Sequence, residues 1–186
     1  NSAAIDHLAS GADGIFFDLR NETDLRGLLQ NIQWPSNFLA FQIHDDTFAS
    51  SLADLIRRQP DPASLHGALF WESIPKRKNM DFYFQHCAHI KCLGLIIPAT
   101  SPAVDICHAL TLGVQAWETY AWSDAAQVLR SISFSLFADS SILETMAKIK
   151  ALRMLWVQVA LAYGINDYKG SELHVHMRST LAPDGH

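Results

Sequence analysis

Residues 133–156 read SFSLFADSSILETMAKIKALRMLW, and the fold turns on how this stretch is parsed. Phe134, Leu136 and Ala138 alternate with Ser133, Ser135 and Phe137, the period of a buried strand. Ser141 followed three residues later by Glu144 has the form of a capping box, so a helix opens there. Apolar residues then recur at Ile142, Met146, Ile149, Leu152, Trp156, Val159 and Tyr163, a helical stripe across six turns. Gly164 stands where a left-handed C-cap is wanted. Met146, Ile149, Leu152 and Trp156 are expected to form the face buried against a sheet. A further strand follows in residues 173–180, LHVHMRST, with polar residues where it ends.

Outward from this stretch the chain alternates helices and strands. Ala3–Ser10 reads as a helix and Gly14–Leu19 as an apolar strand ending at Asp18 and Arg20. Asn21–Ile32 is expected to be helical, with Asn21 as N-cap. Phe38–Ile43 is the second strand, ending at His44, Asp45 and Asp46. Thr47–Arg58 is an amphipathic helix stopped before Pro60. Ala68–Trp71 is the third strand, ending at Glu72, and a charge run follows at Lys76–Lys78. Met80–Cys87 is ambiguous between helix and loop. Cys92–Ile97 is the fourth strand. Pro102–Trp117 is a helix with Ser101 as N-cap and Pro102 at its first position. Ile132–Phe137 and Glu172–Met177 are the fifth and sixth strands. Strands separated by helices imply a parallel sheet, either doubly wound and open or part of a (β/α)8 barrel. No glycine-rich phosphate loop follows the first strand. A full barrel needs eight strands and roughly 250 residues.

Composition narrows the function classes. The 186 residues are 49% hydrophobic and 18% charged, with a formal charge of −5. That suits a single folded domain and gives no basic footprint for nucleic acid. No apolar stretch approaches the roughly 20 residues of a membrane helix, and no secretion signal is visible. Cys87, Cys92 and Cys107 are an odd set without zinc-type spacing, as expected of reduced thiols in a cytoplasmic protein.

If the sheet is a barrel, its chemistry lies at the C-terminal strand ends. The residues there are Asp18, Arg20, His44, Asp45, Glu72, Thr100, Asp139, His176 and Arg178. His174 and His176 form H-x-H, which puts both on one face of a strand. Metal-dependent barrel hydrolases use that spacing on their first strand, whereas here it falls on the sixth. The ligand partners would have to be His44, Asp45 or Asp139, and no metal site is expected.

Glu144, Ala147, Lys148, Lys150, Ala151, Arg153, Leu155 and Trp156 fit the pattern E-x-x-A-K-x-[RK]-A-x-R-x-L-W. The stretch resembles the barrel domain of the methylmalonyl-CoA mutase family, ungapped over about two dozen residues. Weaker likeness reaches residues 11–19 and 103–118. In that family this helix joins strands five and six of the barrel, as it does here. The resemblance therefore implies an incomplete (β/α)8 TIM-type barrel of about six βα units, a single partial domain over residues 1–186. His176 falls on the family histidine that hydrogen-bonds the substrate thioester carbonyl. Arg178 and Asp139 fall beside it as substrate-site residues.

Departures from the family pattern fall on the substrate residues. The active subunit has Gly-Tyr-His-x-Arg at its fourth strand end, its arginine pairing the substrate carboxylate. Here residues 96–100 are Ile-Ile-Pro-Ala-Thr. An Asn-Ala-His-Asn-type turn is replaced by Phe137-Ala138-Asp139-Ser140, and Thr-Gln-Thr by Met177-Arg178-Ser179. No D-x-H-x-x-G cobalt-ligand string is present, so no cobalamin-binding domain belongs to this chain. The resemblance thus implies the small, non-catalytic subunit of a heterodimeric isomerase. It binds no cofactor alone and partners a large subunit that carries adenosylcobalamin and interconverts methylmalonyl-CoA and succinyl-CoA. A catalytically competent acyl-CoA mutase barrel with altered specificity is the alternative, and a metal-dependent barrel hydrolase or aldolase a second. Six βα units leave open strand edges, so the chain is expected to pair with the large subunit, to self-associate, or to belong to a longer polypeptide.

Overall fold

The structure is a computed structural model that describes residues 2–18, 24–77, 80–120, 124–138 and 141–178. It is an α/β protein with a six-stranded parallel sheet in the order β1-β2-β3-β4-β5-β6. Every neighbour in the sheet is a neighbour in sequence. The order has no reversal, and a doubly wound sheet depends on one. It is consistent with an incomplete barrel. The chain divides into two compact units, Asn1–Leu93 and Gly94–His186, the division falling inside β4.

The first unit runs α1 (Ser2–Ala9), β1 (Gly14–Asp18), α2 (Leu25–Leu29), β2 (Phe38–Ile43), α3 (Asp46–Arg57), β3 (Gly67–Trp71), α4 (Asp81–His86) and the start of β4 (Ile90–Ile96). The ambiguous stretch after Met80 is therefore helical. Residues 39–43 and 67–71 are buried without alternation, as strands covered on both faces must be. Register places Phe17, Phe41 and Leu69 on one face. There Phe17 stacks on Phe41 at 5.2 Å, and Trp34 tilts onto the same ring at 5.5 Å. Phe16, Asp18, Ala40, Gln42 and Phe70 take the other face, where Phe16 and Phe70 meet at 5.8 Å. The second helix is shorter than its sequence suggests. Asp24 caps it by accepting the Arg26 N–H at 3.1 Å, and Asn31 turns left-handed at φ 67° just beyond its end. Asn21, expected as the cap, lies outside the described residues.

The second unit carries the end of β4, then α5 (Pro102–Tyr120), α6 (Ala125–Ser131), β5 (Ile132–Phe137), α7 (Ile142–Ala162) and β6 (His174–Arg178). The short α6 has no counterpart in the sequence reading; Asp124 caps it through the amides of Ala126 and Gln127. Ser141 accepts the Glu144 N–H at 3.4 Å at the start of α7. Gly164 ends it at φ 79°, with the Ile165 N–H returning to Ala160 O at 2.9 Å. Ser133 and Ser135 prove as buried as Phe134 and Leu136, so β5 is covered on both faces.

The buried row of α7 shares Leu152 and Trp156 with the face its apolar stripe predicts but not Met146 or Ile149. Lys148, Leu152, Trp156 and Ala160 point inward, one every fourth residue. Met146 is 61% exposed, and Ile149 is only partly buried. Apolar side chains surround this helix, so the stripe alone leaves its rotation undecided. Packing decides it: Trp156 meets Phe134 edge-to-face at 5.4 Å. Gly113 of α5 completes the contact, because a Cβ there would come within 2.6 Å of Trp156 and 2.9 Å of Phe134.

Candidate functional site

In the first unit, three strand-end side chains converge. Asp18 ends β1, His44 follows β2 and Glu72 follows β3. The parallel register puts Asp18, Gln42 and Phe70 on one level. His44 and Glu72 stand two residues further on, and the two-residue period of a strand keeps them on that same face. His44 Nε2 lies 2.8 Å from Asp18 Oδ1, and Nδ1 lies 3.0 Å from Glu72 Oε1. Both contacts are hydrogen bonds donated by the ring only when both nitrogens carry protons. A neutral ring donates to one carboxylate and leaves the other to a ligand proton or to water. The arrangement therefore suits holding or moving a proton. It suits metal ligation poorly, since both ring nitrogens already face carboxylates. A cleft of about 250 Å³ beside it is lined by His44, Trp71, Glu72, Pro75 and Lys76. Asp45, the neighbouring candidate, is used as the cap of α3 and accepts the Phe48 N–H at 2.7 Å.

The larger cavity of this unit, about 810 Å³, is away from the strand ends and is lined by Arg26, Leu29, Trp34, Leu55 and Arg58 among others. Its two arginines are solvent-exposed, and nothing reactive faces it.

In the second unit, register pairs Ser133 with His174, Ser135 with His176 and Phe137 with Arg178. All six side chains share the face opposite Phe134. Ser133 Oγ and Ser135 Oγ are fully enclosed, with no hydrogen-bond partner among the described residues. His176 is half-buried. Burial, and after it the Arg178 guanidinium, holds its imidazole below the usual histidine range, so the neutral ring is favoured. Arg178 donates from Nη2 to Ile97 O at 2.8 Å and lies 4.0 Å over the Phe137 ring. Asp139 and Arg20 lie outside the described residues.

Sequence reasoning missed a buried ion pair just below these strand ends. Lys148 Nζ is 3.0 Å from Asp105 Oδ2 and donates to Phe137 O at 2.7 Å. Thr100, singled out only as a strand-end residue, donates to Asp105 Oδ1 from its amide at 2.9 Å and its hydroxyl at 2.8 Å. Burial alone would raise the Asp105 pKa. The bonds from Lys148 and Thr100 outweigh it and hold the carboxyl below its usual range. The signal for this pair was the spacing of Lys148, four residues before Leu152 and eight before Trp156, which sets it on their row.

No protein-family model matches the chain, and no curated protein matches it. Among the described residues no group of three or more histidine, cysteine or carboxylate side chains is arranged to hold a metal ion, and no helix is long and apolar enough to cross a membrane. None of the three cysteines is joined in a disulfide. Burial pushes Cys87 up to about 11, which makes it a poor nucleophile.

Proposed function

We propose that the chain is barrel sequence of the small, non-catalytic subunit of an adenosylcobalamin-dependent acyl-CoA mutase of the methylmalonyl-CoA type. One observation carries the reading. The helix bearing Glu144, Ala147, Lys148, Lys150, Ala151, Arg153, Leu155 and Trp156 joins β5 to β6 in a parallel sheet whose strand order never reverses, the place the family resemblance requires. An eight-stranded TIM-type barrel, completed by sequence beyond these six strands or by a partner, belongs to the same proposal. The geometry suits a supporting role. Arg178 is engaged with a backbone carbonyl and an aromatic face, and residues 96–100, Ile-Ile-Pro-Ala-Thr, offer no arginine where the family's active subunit has its carboxylate-binding one. The large subunit supplies the cobalamin and its radical chemistry; this chain's own residues bind and orient that subunit.

The test is an assay with methylmalonyl-CoA and adenosylcobalamin. The chain alone is expected to form no succinyl-CoA and to leave the corrinoid spectrum unchanged. Mixed with a large subunit, it is expected to co-elute as a heterodimer. Succinyl-CoA formed by the chain alone overturns the non-catalytic reading. A second reading, a competent acyl-CoA mutase barrel of altered specificity, draws on His176 and Arg178 sharing one face of β6. It requires that turnover of some acyl-CoA fall on His176→Ala.

A further inference from the structure

His44 holds two carboxylates at once only while both of its ring nitrogens carry protons. Loss of one proton breaks one of the two bonds, and the structure decides which. Asp18 is fixed. It belongs to β1, its backbone is paired with Gln42 in the sheet, and its contact with Nε2 is the shorter at 2.8 Å. Glu72 is held less firmly. It stands directly after β3, at the start of a stretch, residues 72–76, that forms neither helix nor strand. Its side chain is 62% exposed against 38% for Asp18. The remaining proton therefore stays on Nε2, facing Asp18, and Nδ1 turns a lone pair toward Glu72 Oε1 at 3.0 Å. Two acceptors at that distance repel, and an exposed carboxylate regains water at little cost.

The bond that gives way lies beside the cleft of about 250 Å³, which residues 72–76 line together with residues 43–46 and Trp71. The other charged groups of the cleft have partners of their own. Asp45 accepts the Phe48 N–H as the cap of α3, and Asp46 holds Lys76 at 2.9 Å. Pro75 is buried. The far end of the stretch thus stays anchored when Glu72 lets go, and movement is confined to residues 72–74.

We infer that His44 is a proton-operated clasp on this cleft. With two ring protons it ties residues 72–74 to the ends of β1 and β2. On losing one it keeps Asp18, releases Glu72 and leaves Nδ1 as a hydrogen-bond acceptor beside the cleft. The inference does not rest on the mutase reading. Histidine is the side chain suited to such a device, because its charge changes within the physiological range of pH in an ordinary environment.

The test is a pH titration of the isotope-labelled full chain by NMR. It follows the His44 ring nitrogens, the Glu72 carboxyl carbon and the amides of residues 72–74. As the ring loses its proton, Nδ1 should move to the shift of an unprotonated nitrogen while Nε2 keeps its proton. The Glu72 carbon and the three amides should move with the same midpoint, as coupled groups do. Glu72→Gln should remove most of the amide shift, because a carboxamide accepts from a protonated Nδ1 and donates to a bare one, and so stays bound in both states. What remains in that variant reports the ring's charge alone. His44→Gln should remove the shift altogether, and thermal melting checks that both variants fold. Three results overturn the inference: a neutral ring that keeps its proton on Nδ1, amides whose midpoint differs from that of His44, or an amide shift that Glu72→Gln leaves intact. The first two are read from the unmodified chain.

Discussion

In residues 1–93 the strand-end charges meet in the open, whereas in residues 94–186 the principal charge pair is shut away. Asp18 and Glu72 hold His44 with 38% and 62% of their own side chains exposed. Lys148 and Asp105 are 0% and 3% exposed. The first set stands at or just after strand ends, whereas Asp105 and Lys148 stand on the helices α5 and α7. Water makes the difference. The two carboxylates keep much of their solvation, while the His44 side chain between them is 20% exposed, so the trio stays in reach of a ligand proton or water. The enclosed pair has given up its solvation and stays charged only because each member answers the other, with Thr100 and the Phe137 carbonyl filling the remaining bonds. One arrangement is suited to chemistry and the other to holding a helix on a sheet.

Breaking the enclosed pair should have the largest effect. Lys148→Ala leaves a buried carboxylate without its partner and is expected to cost about 3–5 kcal/mol, read from urea denaturation. The double variant Lys148→Met, Asp105→Leu should recover most of that loss. If the single variant melts like the wild type, the pair is not closed to water and the comparison fails. Trp156→Ala, at the centre of the same buried row, should also cost about 3–5 kcal/mol. Met146→Ala on the same helix should change stability by less than about 0.5 kcal/mol, and equal losses at the two positions would return α7 to the rotation its apolar stripe suggested. Gly113→Ala pushes a methyl group into Trp156 and Phe134 and should cost about 1–3 kcal/mol.

The pH dependence sharpens the contrast further. Folding holds the His176 pKa below its unfolded value, so its contribution is complete above about pH 6.5. As pH falls from there, the unfolded chain takes up the proton first, and stability declines until pH passes the lowered folded value. His176→Gln should flatten the decline of the urea midpoint between about pH 7 and pH 5; an unchanged slope would mean that the ring is not enclosed. Asp105 acts in a lower window. Its contribution is present above about pH 3.9 and is lost as pH falls further. His44→Ala should cost far less than Lys148→Ala, at under about 1 kcal/mol. A loss like that of Lys148→Ala would show the open trio to be structural after all.

Much of this was legible in the sequence. Ser141 and Gly164 marked the ends of α7 because caps are local chemistry, satisfied within one turn. The strands announced themselves through short apolar runs, and their strict alternation with helices called for a parallel sheet. Asp18, His44 and Glu72 were legible as strand-end residues, since strand ends follow directly from the strands. Their meeting at one imidazole was not, because it depends on the register of β1, β2 and β3. The short α6 went unread: it is a single capped stretch that runs straight into β5.

What the sequence determined, then, was the set of elements, their order and their caps, all of which depend on residues a few positions apart. Tertiary structure alone decided the rotation of α7, the enclosure of Ser133 and Ser135, and the meeting of Lys148 with Asp105 across 43 positions. Hydrophobic burial has no direction of its own. A helix with apolar side chains all round sits equally well in several rotations until a particular neighbour, here Phe134 with the gap left by Gly113, accepts one side chain and refuses the rest.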